Sequence, residues 1–198
     1  MIIIGLTGKT GAGKSTVSSI LKENGFFVVD ADKTGHDILE NDLETKRAVI
    51  ERFGDDVVGE DGKIVRSILA KKVFSSPEKL NELNAITHPA ITKKIFSDIA
   101  KAGKEGFGAA VVDAAALFES GIDKLCEFTA FVYAPEDVRL ERIMKRDGLS
   151  EEKALERIRA QKPDDYYAEK ADVIIMNYPP YNLYDETSKI FDAMEEFL

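Results

Sequence analysis

The chain is poor in the residues by which several functional classes announce themselves. Its single cysteine, Cys126, cannot close an internal disulfide, and no Cys/His set has the spacing of a metal site. No apolar stretch approaches the ~20 residues that span a bilayer. Met1-Ile2-Ile3-Ile4 is apolar but short, with no basic segment before it and a glycine loop after it, so it reads as a buried strand and not as a signal peptide. Positive charge is in deficit as well. A formal net charge of −9 leaves no broad basic face for nucleic acid or a membrane surface. Any anionic ligand must therefore be held by a local basic cluster. The expectation is a soluble cytoplasmic protein without nucleic-acid or membrane partners. Internal repeats and low-complexity segments are missing too.

What is present suits one compact domain with a small insertion or lid, because 198 residues at 44% hydrophobic content can build a real core. Ile2–Thr7 is a continuous apolar run, as expected of a parallel strand buried on both faces. A glycine loop follows, then helical spacing over Ser15–Asn24 that Gly25 ends, then a second strand, Phe26–Asp30. The spacing predicts a helix over Thr34–Phe53 and an acidic loop over Gly54–Lys63. Ser76-Pro77-Glu78 is a helix start, with serine as N-cap and proline at the first helical position. That helix is expected to break or kink at His88-Pro89, and another continues to about Lys101. Strands at Ala109–Asp113, Phe128–Ala134 and Val173–Met176 are interleaved with helices at Pro135–Arg146, Ser150–Gln161 and Leu183–Phe197. This alternation predicts an α/β fold, a doubly wound parallel sheet of five strands. The expected division is a core of 1–33, 104–138 and 165–198, a helical insertion over 34–103 and a lid over 139–164.

Gly8-Lys9-Thr10-Gly11-Ala12-Gly13-Lys14-Ser15-Thr16 matches G-x-x-x-x-G-K-[ST]. A random chain of this length would do so roughly once in a hundred. In such a P-loop the glycines let backbone N–H groups converge on phosphate oxygens, Lys14 reaches the outer phosphates, and Ser15 can hold Mg²⁺. The loop commits the chain to a nucleoside triphosphate such as ATP.

Around it, Asp30-Ala31-Asp32 ends the second strand, at the sheet edge where ligands sit in open α/β folds. A carboxylate there, Asp32 more than Asp30, can take a proton from a hydroxyl or orient it. The competing reading is a pair of helix-capping aspartates. Asp113 ends the third strand as a Mg²⁺-supporting carboxylate would, although strand-end aspartates are common. Arg139, Arg142 and Arg146 share one helical stripe, and the excess of positive charge from there to Lys162 suits a lid over polyphosphate. A solvated, salt-bridged hairpin is the alternative. His88 and Arg66 have structural readings as well.

These residues resemble the dephospho-coenzyme A kinase family. The resemblance runs through Leu6-Thr7-Gly8 into the P-loop, Val29-Asp30-Ala31-Asp32, Asp61-Gly62-Lys63 before Arg66, and His88-Pro89. It continues through Asp113 to Leu117-Phe118-Glu119, Arg142 to Arg146-Asp147, Ser150-Glu151-Glu152, Arg157-Ile158 to Gln161, and Ala171-Asp172. It implies ATP- and Mg²⁺-dependent phosphorylation of the ribose 3′-hydroxyl of dephospho-coenzyme A, the last step of coenzyme A synthesis. It also implies a P-loop NTPase-type core with a helical substrate-binding insertion and a helical lid. By position it makes Asp32 the base or hydroxyl-orienting residue, and Arg66, His88, Leu117, Phe118 and Glu119 acceptor contacts. Arg142 and Arg146 become lid arginines on phosphates, with Lys14 beside them in catalysis, and Asn177 a contact near the adenine. ATP contacts would be Gly8, Gly11, Ala12, Gly13, Lys14, Ser15, Thr16, Arg142 and Asn177; metal contacts would be Ser15 and Asp113. The expected assembly is a monomer or weak homo-oligomer. Two positions depart from the family: Ala115-Ala116 stand where it usually has proline and leucine, and Met176-Asn177-Tyr178-Pro179 where it often has Asp-Asn and a small residue. Another small-molecule P-loop kinase is the second reading. A GTP switch is disfavoured, since Asp56-Val57-Val58-Gly59 lies in a loop and no Asn-Lys-x-Asp stretch exists.

Overall fold

The computed structural model describes residues 1–73 and 75–197 of the chain. Phe74, inside the expected helical insertion, and Leu198, at the expected end of the core, lie outside the described residues. The chain divides into two compact units, 1–29 with 99–198, and 30–98.

The first unit is built on a sheet. β1 (Ile2–Gly8) leads into α1 (Lys14–Glu23), and β2 (Phe27–Asp30) follows. The expected helix over 34–53 is instead two helices, α2 (Ala31–Asn41) and α3 (Leu43–Phe53). The break has a local cause: Asp42 is extended, and its carboxylate accepts from the Thr45 N–H at 2.8 Å, ending one helix and capping the next. A 3₁₀ turn at Asp55–Val57 and an isolated bridge between Val58 and Ile64 occupy the expected acidic loop. Then come α4 (Arg66–Val73) and α5 (Pro77–Lys104). Next are β3 (Ala109–Asp113), α6 (Leu117–Ser120), β4 (Phe128–Tyr133), α7 (Glu136–Asp147), α8 (Glu151–Arg159), α9 (Asp164–Ala168), β5 (Val173–Met176) and α10 (Leu183–Glu195).

The strand order is β2-β3-β1-β4-β5, and β1 runs parallel to β3 and β4, and β4 to β5. The apolar runs explain it. Ile4 and Leu6 of β1 and Val111 of β3 have no exposed surface, which only a central parallel strand covered on both faces achieves. Val17 and Leu21 of α1, Ile190 of α10 and Ile175 of β5 complete that core. β1 is the central strand, with neighbours β3 and β4 reached by later crossovers, so the carboxyl end of β1 is the crevice where such sheets bind ligands. Beside β1, Leu117 and Cys126 close on Gly5, where any side chain would strike Leu117. Burial, then Glu127 and Asp123, push the Cys126 thiol up to about 12.

In the second unit, Val49, Phe53, Val57, Ile64, Leu69 and Val73 make a separate small core, with Leu80, Leu83 and Ile86 of α5 packed on it. Ser76 caps α5 as expected, its hydroxyl accepting from the Lys79 N–H at 3.2 Å. The expected break at His88-Pro89 is not there: α5 continues through Pro89. Proline removes one backbone bond, to the Ala85 carbonyl. Leu80, Leu83 and Ile86 before it and the buried Ile95 and Ile99 after it are held by packing, which overrides that local loss.

The hydrogen bond from Thr45 holds the Asp42 carboxyl below the usual carboxylate range. Asp42→Ala is therefore expected to lower stability by about 1 kcal/mol, read as a lower urea midpoint by far-UV circular dichroism. Because this folded-state pKa is depressed, the wild-type advantage is complete above the unfolded value near 4 and fades as pH falls through the folded one.

Candidate functional site

The loop between β1 and α1 has its shape from two glycines. Gly11 and Gly13 have φ of +79° and +94°, which side-chain-bearing residues rarely adopt. Space gives a second reason: a Cβ on Gly11 would lie 2.7 Å from the Arg139 carbonyl oxygen, and one on Gly13 would overlap Asn177 Nδ2. Ala12 N–H closes the turn on the Lys9 carbonyl at 2.9 Å. Gly13 precedes α1 without a side-chain cap, and helix N-termini of this kind are where anions bind. Ser15 and Thr16 follow in its first turn.

The outward carbonyls of this loop are bound from the other side. Arg142, on α7, donates to Gly11 O at 3.3 Å, Ala12 O at 3.4 Å and Asn177 O at 2.9 Å. Asn177, just past β5, donates through Nδ2 to Ala12 O at 2.7 Å. Both residues expected at the nucleotide thus meet at the loop. Three further residues, which spacing did not single out, hold it. Gln161 Oε1 accepts from Thr10 N–H at 2.8 Å, and Lys9, itself buried, pairs with Asp164 at 2.9 Å. Arg139 is 1% exposed, with Nε on Ala134 O at 2.9 Å and Nη2 on Asp164. Arg139 therefore belongs to the support under the loop and not to the phosphate-facing stripe in which its spacing had placed it. The only prior signal was that Lys9 and Thr10 are the variable positions of the motif; their partners lie about 150 residues away.

Lys14 and Asp113 come together, Lys14 Nζ donating to Asp113 Oδ1 and Ser18 Oγ to Asp113 Oδ2. Asp113 is nearly buried, so its carboxylate is held ready on two donors. Arg146 is exposed and forks onto its neighbour Asp147 at 2.7 and 2.9 Å, and Arg157 reaches the same carboxylate at 2.7 Å. Arg146, then Arg157, holds the Asp147 carboxyl below its ordinary range. The α7–α8 hairpin is thus salt-bridged as well as basic, around its own core of Ile143, Ala154 and Ile158.

The residues after β3 separate by role. Leu117 is fully buried against Gly5, so it fixes the segment and is corrected from a ligand contact to a packing residue. Glu119 accepts from Tyr167 OH at 2.8 Å, and Phe118 sits edge-on to Tyr166. Burial, then Glu119, pushes the Tyr167 phenol up.

In the helical unit, the Asp30 carboxylate accepts from Lys33 N–H at 2.8 Å and caps α2, which starts at Ala31, three residues earlier than expected. Asp32 is exposed in the first turn. Arg66 opens α4 and donates to His36 Nε2 at 2.5 Å. His88 is half-buried on α5. A cleft of about 570 Å³ opens between α2, α3 and α5, lined by Ile38, Thr45, Ala48, Ile86, Pro89 and Lys93 among others. Neither Asp32, Arg66 nor His88 lines it, so this cleft and the expected acceptor contacts do not coincide.

Comparison with known proteins bears on the same residues. The profile of the Dephospho-CoA kinase family matches residues 2–180. A dephospho-CoA kinase of Carboxydothermus hydrogenoformans is 45% identical over 175 residues, covering 88% of this chain and 85% of that protein. The crystal structure of a Thermus thermophilus protein superposes with TM-score 0.81 at 32% identity, covering 100% of this chain and 97% of that one. A dephospho-CoA kinase from Campylobacter jejuni gives 0.69 at 31% identity, with 98% of both chains covered.

Burial lowers the His88 pKa, so the unfolded chain takes up this proton at higher pH than the folded one. The stability that neutral His88 preserves is complete above about pH 6.5 and falls as pH drops below it. Melting temperatures measured from pH 7.5 to 5 are expected to fall more for wild type than for His88→Gln; parallel curves would remove His88 from the pH response.

Proposed function

The chain belongs to the dephospho-CoA kinase family, whose members act at the final step of coenzyme A biosynthesis, and we propose how its residues divide the work of phosphoryl transfer. It is a P-loop kinase of a small molecule. The observation that carries the reading is the loop Gly8–Gly13, with α1 behind it lacking a side-chain cap and with the Gly11 and Ala12 carbonyls bound by Arg142 and Asn177. In this reading, N–H groups of Gly11, Gly13, Lys14 and Ser15 cradle the β- and γ-phosphates of ATP, Ala12 and Thr16, whose N–H groups close on the Lys9 and Gly13 carbonyls, shape the loop and the helix start beside them, and Gly8 admits the close approach. Lys14 leaves Asp113 for the γ-phosphate. The residues fit Mg²⁺, since the Ser15 hydroxyl, the Asp113 carboxylate and phosphate oxygens are the hard oxygen donors it prefers. When bound, Mg²⁺ would supply neutralisation of phosphate charge. Arg142 approaches the nucleotide from the loop's rim, and Arg146 exchanges Asp147 for a phosphate as negative charge shifts during transfer.

The acceptor is the ribose 3′-hydroxyl of dephospho-coenzyme A. Its oxygen forms the new bond to the γ-phosphorus, the bond to the β–γ bridging oxygen breaks, ADP leaves, and the hydroxyl proton passes to Asp32. Support for Asp32 comes from its place: it stands exposed in the first turn of α2, directly after β2, while Asp30 is the residue that caps this helix. Arg66, His88, Phe118 and Glu119 are the proposed acceptor contacts, Arg66 carrying the charge that suits the acceptor's pyrophosphate. Cytoplasmic action as a monomer or weak homo-oligomer, without nucleic acid, fits the net charge of −9. Among the described residues, no helix is long and apolar enough to cross a membrane.

Purified protein given ATP-Mg²⁺ and a panel of hydroxyl acceptors is expected to release ADP only with dephospho-coenzyme A. Turnover of a nucleoside or another metabolite instead would favour the second small-molecule reading. Asp32→Asn is expected to lower kcat by roughly 10²–10⁴-fold while ATP binding by calorimetry stays unchanged; normal turnover in that variant would take Asp32 out of the mechanism.

A further inference from the structure

Beneath the phosphate loop lies a charge arrangement that packing alone does not call for. Lys9, the second residue of the loop, is buried, and its ammonium reaches the Asp164 carboxylate at 2.9 Å. The other oxygen of the same carboxylate takes Arg139 Nη2 at 3.4 Å. Two buried cations thus share one anion. Arg139 Nε donates to the Ala134 carbonyl, whereas its buried Nη1 has no hydrogen-bond partner among the described residues. The next carboxylate along the chain, Asp165, is exposed, where water screens its charge.

Such a cluster is unfavourable taken by itself. Withdrawing an ammonium from water is costly, and the Coulomb gain shrinks when the carboxylate already serves a guanidinium. Arg139 and Asp164 alone would form a neutral pair, and an apolar side chain at position 9 would fill the same space with less desolvation. The surplus cation also stands in the loop itself, on a pinned backbone. Gln161 Oε1 holds the Thr10 N–H at 2.8 Å, and the Lys9 carbonyl takes the Ala12 N–H at 2.9 Å. In a chain of net charge −9, a fixed positive surplus here runs against the overall sign. Its field reaches the loop by a buried path, along which screening is weak.

We propose, on the reading of this loop as the triphosphate site, that Lys9 is a positioning residue for the nucleotide's phosphates and acts by its charge. Held by Asp164, which it shares with Arg139, it leaves one net positive charge beneath the loop and strengthens the hold on polyphosphate from there. Lys14 moves onto the phosphates during transfer; Lys9 stays where it is. The phosphates carry the same total charge before and during transfer, so this field favours ground and transition states alike. Its loss therefore falls on KM for ATP more than on kcat.

Lys9→Gln, Lys9→Arg and Asp164→Asn, each in the full chain, separate charge from structure. Glutamine keeps a hydrogen-bond donor for Asp164 and loses the charge, arginine keeps both, and Asp164→Asn enlarges the buried surplus. Binding of inorganic tripolyphosphate is measured by calorimetry on protein shown to be folded by far-UV circular dichroism, with KM for ATP and kcat alongside. Lys9→Gln is expected to weaken tripolyphosphate binding and raise KM for ATP by about tenfold, with kcat changed by no more than about threefold. Lys9→Arg is expected to stay within about twofold of wild type in tripolyphosphate binding and KM for ATP. Asp164→Asn is expected to bind tripolyphosphate several-fold more tightly while its melting temperature falls, a pairing of signs that simple damage to the loop does not produce. Wild-type binding in Lys9→Gln, equal losses in Lys9→Gln and Lys9→Arg, or weaker binding by folded Asp164→Asn each overturns the charge role and leaves the cluster a structural one. Should Asp164→Asn not fold, the two Lys9 variants decide by the same criteria. A wild-type protein that binds no tripolyphosphate fails differently, because it removes the phosphate-loop reading itself.

Discussion

A loop that turns its N–H groups inward toward an anion turns its carbonyls outward, and each of those needs a donor. Much of the first unit answers that constraint. Gly11 and Gly13 supply the left-handed backbone that aims the N–H groups, and Arg142 and Asn177 then take the carbonyls of Gly11 and Ala12. One donor comes from the helix after β4 and the other from the turn after β5, so the order of strands around β1 is also what brings these partners to the loop. Gln161 on Thr10 and Asp164 between Lys9 and Arg139 tie down the remaining side. The cradle is therefore shaped before any phosphate arrives, and preorganisation of this kind gives charge stabilisation its strength in catalysis.

Beside this tightly bonded loop stand groups that hold provisional partners. Lys14 rests on Asp113, and Arg146 on Asp147. Each cation is neutralised by a neighbouring carboxylate, which limits the cost of keeping positive charge in one place, and in the proposed reading a phosphate takes that carboxylate's place. Arg139 differs, because burial makes its pairing with Asp164 permanent in function. Three arginines on one helix thus take three different sets of partners, graded by their exposure.

The strands were legible because parallel strands buried on both faces leave uninterrupted apolar runs; Ala109–Asp113 and Val173–Met176 match the expected bounds residue for residue. Motif and spacing also singled out Lys14, Asp113 and Arg142, and the family resemblance Asn177; in the structure Lys14 meets Asp113, and Arg142 and Asn177 meet the loop. Three things were not legible, each for its own reason. The division at Asp42 depends on one side chain capping a helix within a pattern that is periodic on both sides. The unbroken α5 depends on packing that outweighs the proline. The support beneath the loop depends on pairs such as Thr10 with Gln161 and Lys9 with Asp164, which no local period encodes. Leu117 marks the opposite error, a residue carried by its neighbours in a motif although its own side chain is spent on packing Gly5.

Cys126 acquires a meaning from the chemistry of the family's reaction. Coenzyme A ends in a thiol, and a protein that handles it meets thiols and their disulfides continually. Only a thiolate attacks a disulfide. With its sulfur half-buried beside Gly5 and held protonated up to about 12, Cys126 is almost never in that form near neutrality. Burial thereby lowers the thiolate fraction of the one sulfhydryl in the chain, which disfavours its exchange with the very molecule the enzyme makes.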